Sequence, residues 1–278
     1  MERQIVHSIT QLIVQAYVEY LSQPSRIRVA ETSADWESGT RYVRASRLDN
    51  CPKLEAAIQR GQLLRPLPDP TALMRMEDGR RRAEAVYEAL DWAQGRGLLS
   101  DAYAFAFEAR RFDDQLGLAA TVDILVTLRA TGEVLPVEIK KTRQKGSLRQ
   151  QLQSAAQLAV TGAQWGILFL THDSGAAWTI YHVERTEEAF LFWLDSEIKA
   201  TLSYTDFLAR VQQQRAYFDG ALTAPPYDKP TAPLCITHRR VPCCPLYAEC
   251  WVFTRKEAED GASARTDDQS GETDDFYI

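Results

Sequence analysis

Three neighbouring segments with two-residue periodicity limit the folds open to this chain more than any other feature. Apolar and polar side chains alternate in residues 102–112, 121–129 and 134–141, as they do in strands that bury one face of a sheet. Helical spacing returns in residues 147–160, and two apolar segments typical of strands follow at 165–172 and 176–183. This order predicts a sheet covered by helices, which is a layered α/β fold.

Helical periodicity flanks this block on both sides. We predict four further helices, over residues 5–21, 46–61, 78–95 and 186–214. A single domain over residues 1–255 accommodates all of these elements. Residues 256–278 lack a core-forming pattern and are predicted to be a disordered acidic tail.

The net charge of −6 belongs to this tail, which holds eight acidic and two basic residues. The rest of the chain is therefore neutral, and its charge does not exclude nucleic acid as a partner. No apolar run approaches the roughly 18 residues of a membrane helix, and the first residues lack the apolar region of a secretory signal. We expect a cytoplasmic protein.

The second and third periodic segments form a hairpin that carries two carboxylates. With residues 130–133 as the loop, Arg129 faces Val134, Asp123 faces Lys140, and Glu138 is diagonal to Asp123. Paired carboxylates suit Mg²⁺ or Mn²⁺, which can activate water for attack on a phosphate. The alternative is a solvated hairpin face with a surface ion pair.

The cysteines are unevenly spaced along the chain. Cys51 stands alone, whereas Cys235, Cys243, Cys244 and Cys250 lie within sixteen residues. In a reducing compartment this spacing favours a metal or cluster site over disulfides. Four thiolates suit zinc as well as an iron–sulfur cluster, and buried structural thiols are a third possibility.

Five segments in order resemble a known family of nucleases. They are SRLDNCP at 46–52, GLAATVD at 117–123, EIK at 138–140, Gln151 in the helix that follows, and CPLYAEC at 244–250. Together they resemble the PD-(D/E)XK nucleases of the RecB-like iron–sulfur branch, above all the CRISPR-adaptation nucleases of the Cas-four type. The resemblance implies a restriction-endonuclease-like core, a mixed central sheet flanked by helices, with a helical part stapled by the cluster.

The resemblance also implies site residues. Asp123, Glu138, Lys140 and Gln151 take catalytic roles, and Asp123, Glu138 and Ile139 hold Mg²⁺ or Mn²⁺. A [4Fe–4S] cluster takes Cys51, Cys244, Cys250 and one further ligand, for which Cys235 and Cys243 compete. We prefer Cys235 because side chains of adjacent residues such as Cys243 and Cys244 tend to diverge.

The implied function is that of a metal-dependent DNA nuclease acting on single strands or duplex ends. The family places it in CRISPR spacer acquisition, with DNA and CRISPR integration proteins as partners. A standalone nuclease of DNA repair or recombination is equally compatible with these residues.

Two positions depart from the family pattern. Ala83 stands where a helix usually offers a metal-binding histidine, and Ala155 where a motif tyrosine is usual. Glu84 and Glu108 are acids that can compensate. These departures favour an alternative, a catalytically weakened DNA-binding or scaffold protein that retains the cluster.

Overall fold

The computed structural model describes residues 3–21, 42–59, 70–141, 146–171 and 178–222; of residues 17–21, 59, 70–80 and 141 only the backbone is considered. The described residues form five helices and eight strands besides a 3₁₀ turn at Ala45–Arg47. In chain order they are α1 (Arg3–Leu21), β1 (Val43–Arg44), α2 (Pro52–Gln59), α3 (Pro70–Gly95), β2 (Tyr103–Asp113), β3 (Leu118–Leu128), β4 (Val134–Lys141), α4 (Leu148–Thr161), β5 (Trp165–Thr171), β6 (Trp178–Arg185), β7 (Ala189–Leu194), β8 (Glu197–Ser203) and α5 (Tyr204–Phe218).

The described strands form one mixed sheet, which confirms the predicted central sheet flanked by helices. Its order is β1-β3-β4-β5-β6-β7-β8, and β2 pairs with β3 as well. The β1–β3 and β4–β5 pairs are parallel, and the other pairs are antiparallel. Because β2 pairs with β3 along its length, β1 and β4 share the other side of β3.

Each face of the sheet is covered by helices. Side chains of β3 to β5, among them Ile124, Val137 and Phe169, pack with α1 and α3 in one core. On the opposite face, Leu168 and Leu170 of β5 pack with α4 and α5 in a second core. Because side chains alternate along a strand, residues 138 and 140 of β4 lie on the face that α4 covers.

The predicted long helix over 186–214 is wrong in its first half. The segment forms the hairpin β7–β8, and the helix α5 begins only at Tyr204. Asp195 and Ser196 make the turn with positive φ values of 49° and 69°, a backbone favoured by two-residue hairpins. The apolar residues of β7 alternate, so that Phe190 and Phe192 are buried.

Other boundaries shift less. Helix α2 begins at Pro52 after a 3₁₀ turn, later than expected, and α3 begins at Pro70, earlier than the predicted residue 78. Strand β4 has the predicted bounds. None of the described helices is long and apolar enough to cross a membrane.

The described residues up to Leu222 belong to one compact unit. Residues 223–278 lie outside the described residues. The expected domain end at residue 255, the disordered tail over 256–278, and the cluster ligands Cys235, Cys244 and Cys250 with their rival Cys243 therefore stay predictions.

Candidate active site

Strands β3 and β4 bring Asp123 and Glu138 directly opposite each other. Ile124 pairs with Val137 and Thr127 with Val134, so one further step of the register sets Asp123 beside Glu138. The predicted register, with Arg129 facing Val134, is wrong by two residues. The turn comprises residues 129–132, because Leu128 N–H donates to Glu133 O at 2.9 Å and Gly132 has a φ of +74°.

The two strands separate at this point. An antiparallel ladder would next join the Ile139 N–H to the backbone of Val122, but that N–H donates to Asp123 Oδ2 at 2.8 Å instead. On the same side of β3, β1 pairs only with Leu118 and Ala119. Asp123 therefore lies at a fork in the sheet, between the ends of two ladders, where its carboxylate takes the place of a backbone acceptor.

Glu138 is fully buried at this fork, with 0% of its surface exposed. Its Oε1 contacts the Lys140 ammonium, and its Oε2 accepts a hydrogen bond from the Gln157 side chain. Burial, followed by the negative charge of Asp123, raises the pKa of Glu138 to about 7, although Lys140 and Gln157 oppose the rise. A buried carboxylate beside a second carboxylate is costly unless a cation compensates it.

Lys140 lies between the two carboxylates. Its Nζ contacts Glu138 and is 4.0 Å from Asp123 Oδ2, with 34% of the side chain exposed. Burial alone would lower the pKa of Lys140, but the charges of Glu138 and Asp123 outweigh burial and raise this pKa above its ordinary value. Lys140 is therefore a permanently charged group that is still open to solvent.

Helix α4 supplies a residue that the sequence reasoning missed. Gln157 Nε2 donates to Thr121 O at 3.0 Å and also to Glu138, so it links α4 to both strands of the fork. Buried polar residues recur on α4 at spacings of three and four, namely Gln150, Gln153, Ser154 and Gln157. In the sequence, these polar residues look like the solvated face of a helix. Their spacing of three and four is the one signal that they share a single face of α4.

The predicted Gln151 does not join this group. Its Nε2 donates to Gly146 O at 2.7 Å, in the segment that leads into α4. Cys51 lies immediately before α2 and is 4% exposed. The structure thus brings together Asp123, Glu138, Lys140 and the backbone of Ile139, and leaves Gln151 outside.

The other acids considered do not add a third carboxylate. Glu108 lies on β2 between the Phe107–Ile124 and Ala109–Val122 pairs but does not itself pair with Asp123. Its φ of +47° shows that the backbone departs from a regular strand there. Ala83 packs in the core under α1, against the sheet face opposite to α4. Among the described residues no group of three or more His, Cys, Asp or Glu side chains is placed to hold a metal.

A small divalent cation fits the two carboxylates that are present. Mg²⁺ takes one or two carboxylates and keeps several waters, so a third carboxylate is not required. Within the described residues the contacts of Asp123 involve Oδ2, which leaves Oδ1 available as a ligand. Together with Glu138 and the carbonyl of Ile139, it makes a set of hard oxygen donors beside a buried negative charge.

The comparisons with known proteins give a coarse likeness. No family model and no curated protein matches the sequence. The chain is similar to the alkaline exonuclease LHK-Exo from Laribacter hongkongensis, with 16% identity, a TM-score of 0.39, and coverage of 80% of this chain and 96% of that one. The LHK-Exo complex with dAMP has 16% identity, the same coverage and a TM-score of 0.40. SSO0001 has 13% identity, a TM-score of 0.36, and coverage of 79% and 89%.

Proposed function

We propose that this chain is a metal-dependent DNA nuclease that acts on single strands or duplex ends. The observation that carries the proposal is the fork between β3 and β4. Asp123 and Glu138 lie there one step beyond the last paired residues, Ile124 and Val137, and the Lys140 ammonium contacts Glu138 and is 4.0 Å from Asp123 Oδ2. Two carboxylates that can hold a divalent cation, with a charged lysine beside them, suit hydrolysis of a phosphodiester.

Asp123, Glu138 and the Ile139 carbonyl would hold Mg²⁺ or Mn²⁺. When bound, such a cation supplies Lewis-acid polarisation of the phosphate and lowers the pKa of a water molecule. The buried position of Glu138 supports this assignment, since its ionised form has only Lys140 as a cationic partner among the described residues. Gln157 and the Ile139 N–H fix the orientation of the two carboxylates.

Lys140 would contribute charge rather than act as a base. Because its pKa lies above the ordinary value, the ammonium keeps its proton at neutral pH and donates hydrogen bonds. Its exposed part can position the attacking water and offset the charge that builds on the phosphate during attack.

Arg149 extends the positive surface around Lys140. This exposed residue of the first turn of α4 is close enough that its charge opposes the high pKa of Lys140. A guanidinium there suits contacts with the phosphates of a strand that enters the site, contacts that position DNA without reading its sequence. Arg149 would therefore contribute to DNA affinity more than to the chemical step.

The finer parts of the proposal rest on the sequence motifs. A [4Fe–4S] cluster on Cys51, Cys235, Cys244 and Cys250 would join the segment before α2 to the C-terminal part of the chain. A role in CRISPR spacer acquisition, with integration proteins as partners, is the context that the motifs favour.

A second candidate function is a DNA-binding or scaffold protein with weakened catalysis. The observation that favours it is Ala83, which is 8% exposed in the α1–α3 core and offers no ligand. This candidate predicts DNA binding without cleavage, even when Mn²⁺ is supplied.

A cleavage assay separates the two candidates. Labelled single-stranded DNA is incubated with Mn²⁺ and wild type, Glu138→Gln or Glu133→Gln, the last a matched change at an exposed acid of the same hairpin. The nuclease proposal predicts cleavage by wild type and Glu133→Gln and loss of cleavage in Glu138→Gln. No cleavage by any of the three, with DNA still bound, would favour the scaffold.

A further inference from the structure

A groove of about 1110 Å³ lies on the sheet face opposite to Asp123 and Glu138. One wall is the first turns of α1, and the others are β6 and the turn between β7 and β8. His182 of β6 pairs with Ile167, which belongs to the core under α1 and α3, whereas Glu138 pairs with Leu168 of the other core. The groove is therefore separate from the candidate active site.

Basic side chains converge in this groove. The His7 and His182 rings meet edge to face with centroids 6.0 Å apart. His182 pairs with Trp193, and the Arg3 guanidinium lies 4.3 Å above the Trp193 ring. Among the lining residues Asp195 is the acidic one and Arg3 is the permanently charged cation, while His7 and His182 add positive charge when they are protonated. Such a surface attracts anions.

Hydrogen bonding leaves one ring nitrogen of His182 for a ligand. Thr10 Oγ1 donates its proton to Val6 O at 2.8 Å, so the same hydroxyl must accept from His182 Nε2–H at 2.9 Å. Nδ1 then has no hydrogen-bond partner among the described residues. Burial, followed by the charges of His7 and Arg3, lowers the pKa of His182, and an anion in the groove would reverse the effect of those charges.

We propose that the groove binds a nucleotide unit, with its phosphate toward Arg3, His7 and His182 and its base along the apolar wall. That wall comprises Trp178, Ile180 and Leu194. The volume exceeds what a phosphate ion needs and lies slightly above the range of pockets for larger organic ligands, roughly 300–1,000 Å³. The same chemistry is offered by a free nucleotide and by one unit of a DNA strand. The proposal does not depend on activity at Asp123.

Binding is measured by calorimetry on the full chain with three probes: inorganic phosphate, a 5′-mononucleotide and a short single strand. The test variant is Arg3→Gln combined with His7→Gln, both exposed residues. The control is Arg96→Gln, a guanidinium that stacks 5.4 Å from Trp92 outside the groove. We expect the dissociation constant of the mononucleotide to rise about tenfold in the double variant and to be unchanged in the control.

Further comparisons distinguish a free nucleotide from a unit of DNA, and the groove from the candidate active site. A strand that wild type binds more tightly than the mononucleotide, with this gain lost in the double variant, supports a DNA unit in the groove, and a gain that the double variant keeps supports a free nucleotide there. Asp123→Asn keeps mononucleotide binding even though it is expected to lose cleavage. The His182 ring signals in NMR should show proton uptake on binding. Equal mononucleotide affinity in wild type and the double variant, or no binding to wild type, would overturn the groove proposal while leaving the nuclease proposal standing.

Discussion

The carboxylate of Asp123 accepts the backbone N–H of Ile139 at 2.8 Å, where strands β3 and β4 part. The Asp123 side chain thus replaces the backbone carbonyl that would accept this N–H in a regular sheet. It holds β4, which carries Glu138 and Lys140, against β3 beyond the last paired residues. The candidate site depends on this replacement, because it lets two carboxylates approach while their strands separate.

Gln157 is expected to hold Glu138 in place. Gln157→Leu removes the donor to both Glu138 and Thr121 O and should lower the free energy of unfolding by about 1–3 kcal/mol, the cost of unpaired buried acceptors. Urea denaturation checks this value. Gln151→Leu is the matched control, since that side chain is half-buried and, among the described residues, bonds only Gly146 O. An equal loss in both variants would contradict a special role for Gln157.

The pKa of Glu138 predicts how stability depends on pH without metal. A folded-state pKa of about 7 lies above the ordinary value of 4.5, so the folded state binds more protons than the unfolded state between these values. The free energy of unfolding should therefore fall as pH rises from about 5 to about 7.5 in EDTA. Glu138→Gln should lack this part of the slope. If the free energy of unfolding of wild type rose between about pH 5 and about pH 7.5 while that of Glu138→Gln did not, the raised pKa of Glu138 would be contradicted.

The same ionisation governs affinity for the cation. Mn²⁺ binds the ionised carboxylate, so its affinity for wild type should increase as pH rises through about 7. Calorimetric titration at several pH values measures this increase, which Glu138→Gln should abolish. If the affinity of wild type for Mn²⁺ did not change with pH, the cation would not be bound by Glu138.

Gly117 is expected to be needed at the turn before β3. Its φ is +60°, and a Cβ there would lie 1.6 Å from Arg215 Nη1. Gly117→Ala should destabilise the fold by about 1–3 kcal/mol, mainly through backbone strain, because the Arg215 guanidinium ends a flexible side chain that is 36% exposed and can move aside. Gly132→Ala, with a φ of +74° and open space around it, measures the strain alone. Thermal melts should show losses of similar size for the two variants, and a much larger loss for Gly117→Ala would show that Arg215 cannot move aside.

The cysteines give a spectroscopic prediction. Protein purified without oxygen should be brown and contain iron, and Cys51→Ala should remove the colour and destabilise the protein. Cys51→Ala also tests whether Cys51 is only a buried structural thiol. In that case the variant would contain as much metal as wild type. Stoichiometric zinc without iron would replace the cluster with a zinc site.

The sequence predicted the central sheet because apolar or alternating segments of strand length lie between turn residues. Strand β4 has the predicted bounds, although residues 135–139 are buried on both faces of the sheet. The hairpin register escaped prediction because it depends on which residue adopts positive φ, here Gly132. The β7–β8 hairpin escaped prediction because Asp195 and Ser196 form its turn without a glycine.

The charged residues of the candidate site were predictable from the sequence, but the residue that holds Glu138 in place was not. Asp123, Glu138 and Lys140 follow from the spacing along two strands, whereas Gln157 approaches them only through packing of α4 on the sheet. The groove lies between α1 and β6, where Thr10 of α1 contacts His182 of β6 across a sequence separation of 172 residues. No local pattern reports a contact of that separation.

The role of Asp123 in cleavage is tested with labelled single-stranded DNA and Mn²⁺ on wild type, Asp123→Asn and Asp101→Asn. Asp101 is an exposed acid in the turn before β2, and circular dichroism verifies that each variant is folded. We expect wild type and Asp101→Asn to cleave the DNA in a reaction that EDTA stops, and Asp123→Asn to cleave it at least about a hundredfold more slowly. A folded Asp123→Asn that cleaves at the wild-type rate would contradict this role of Asp123.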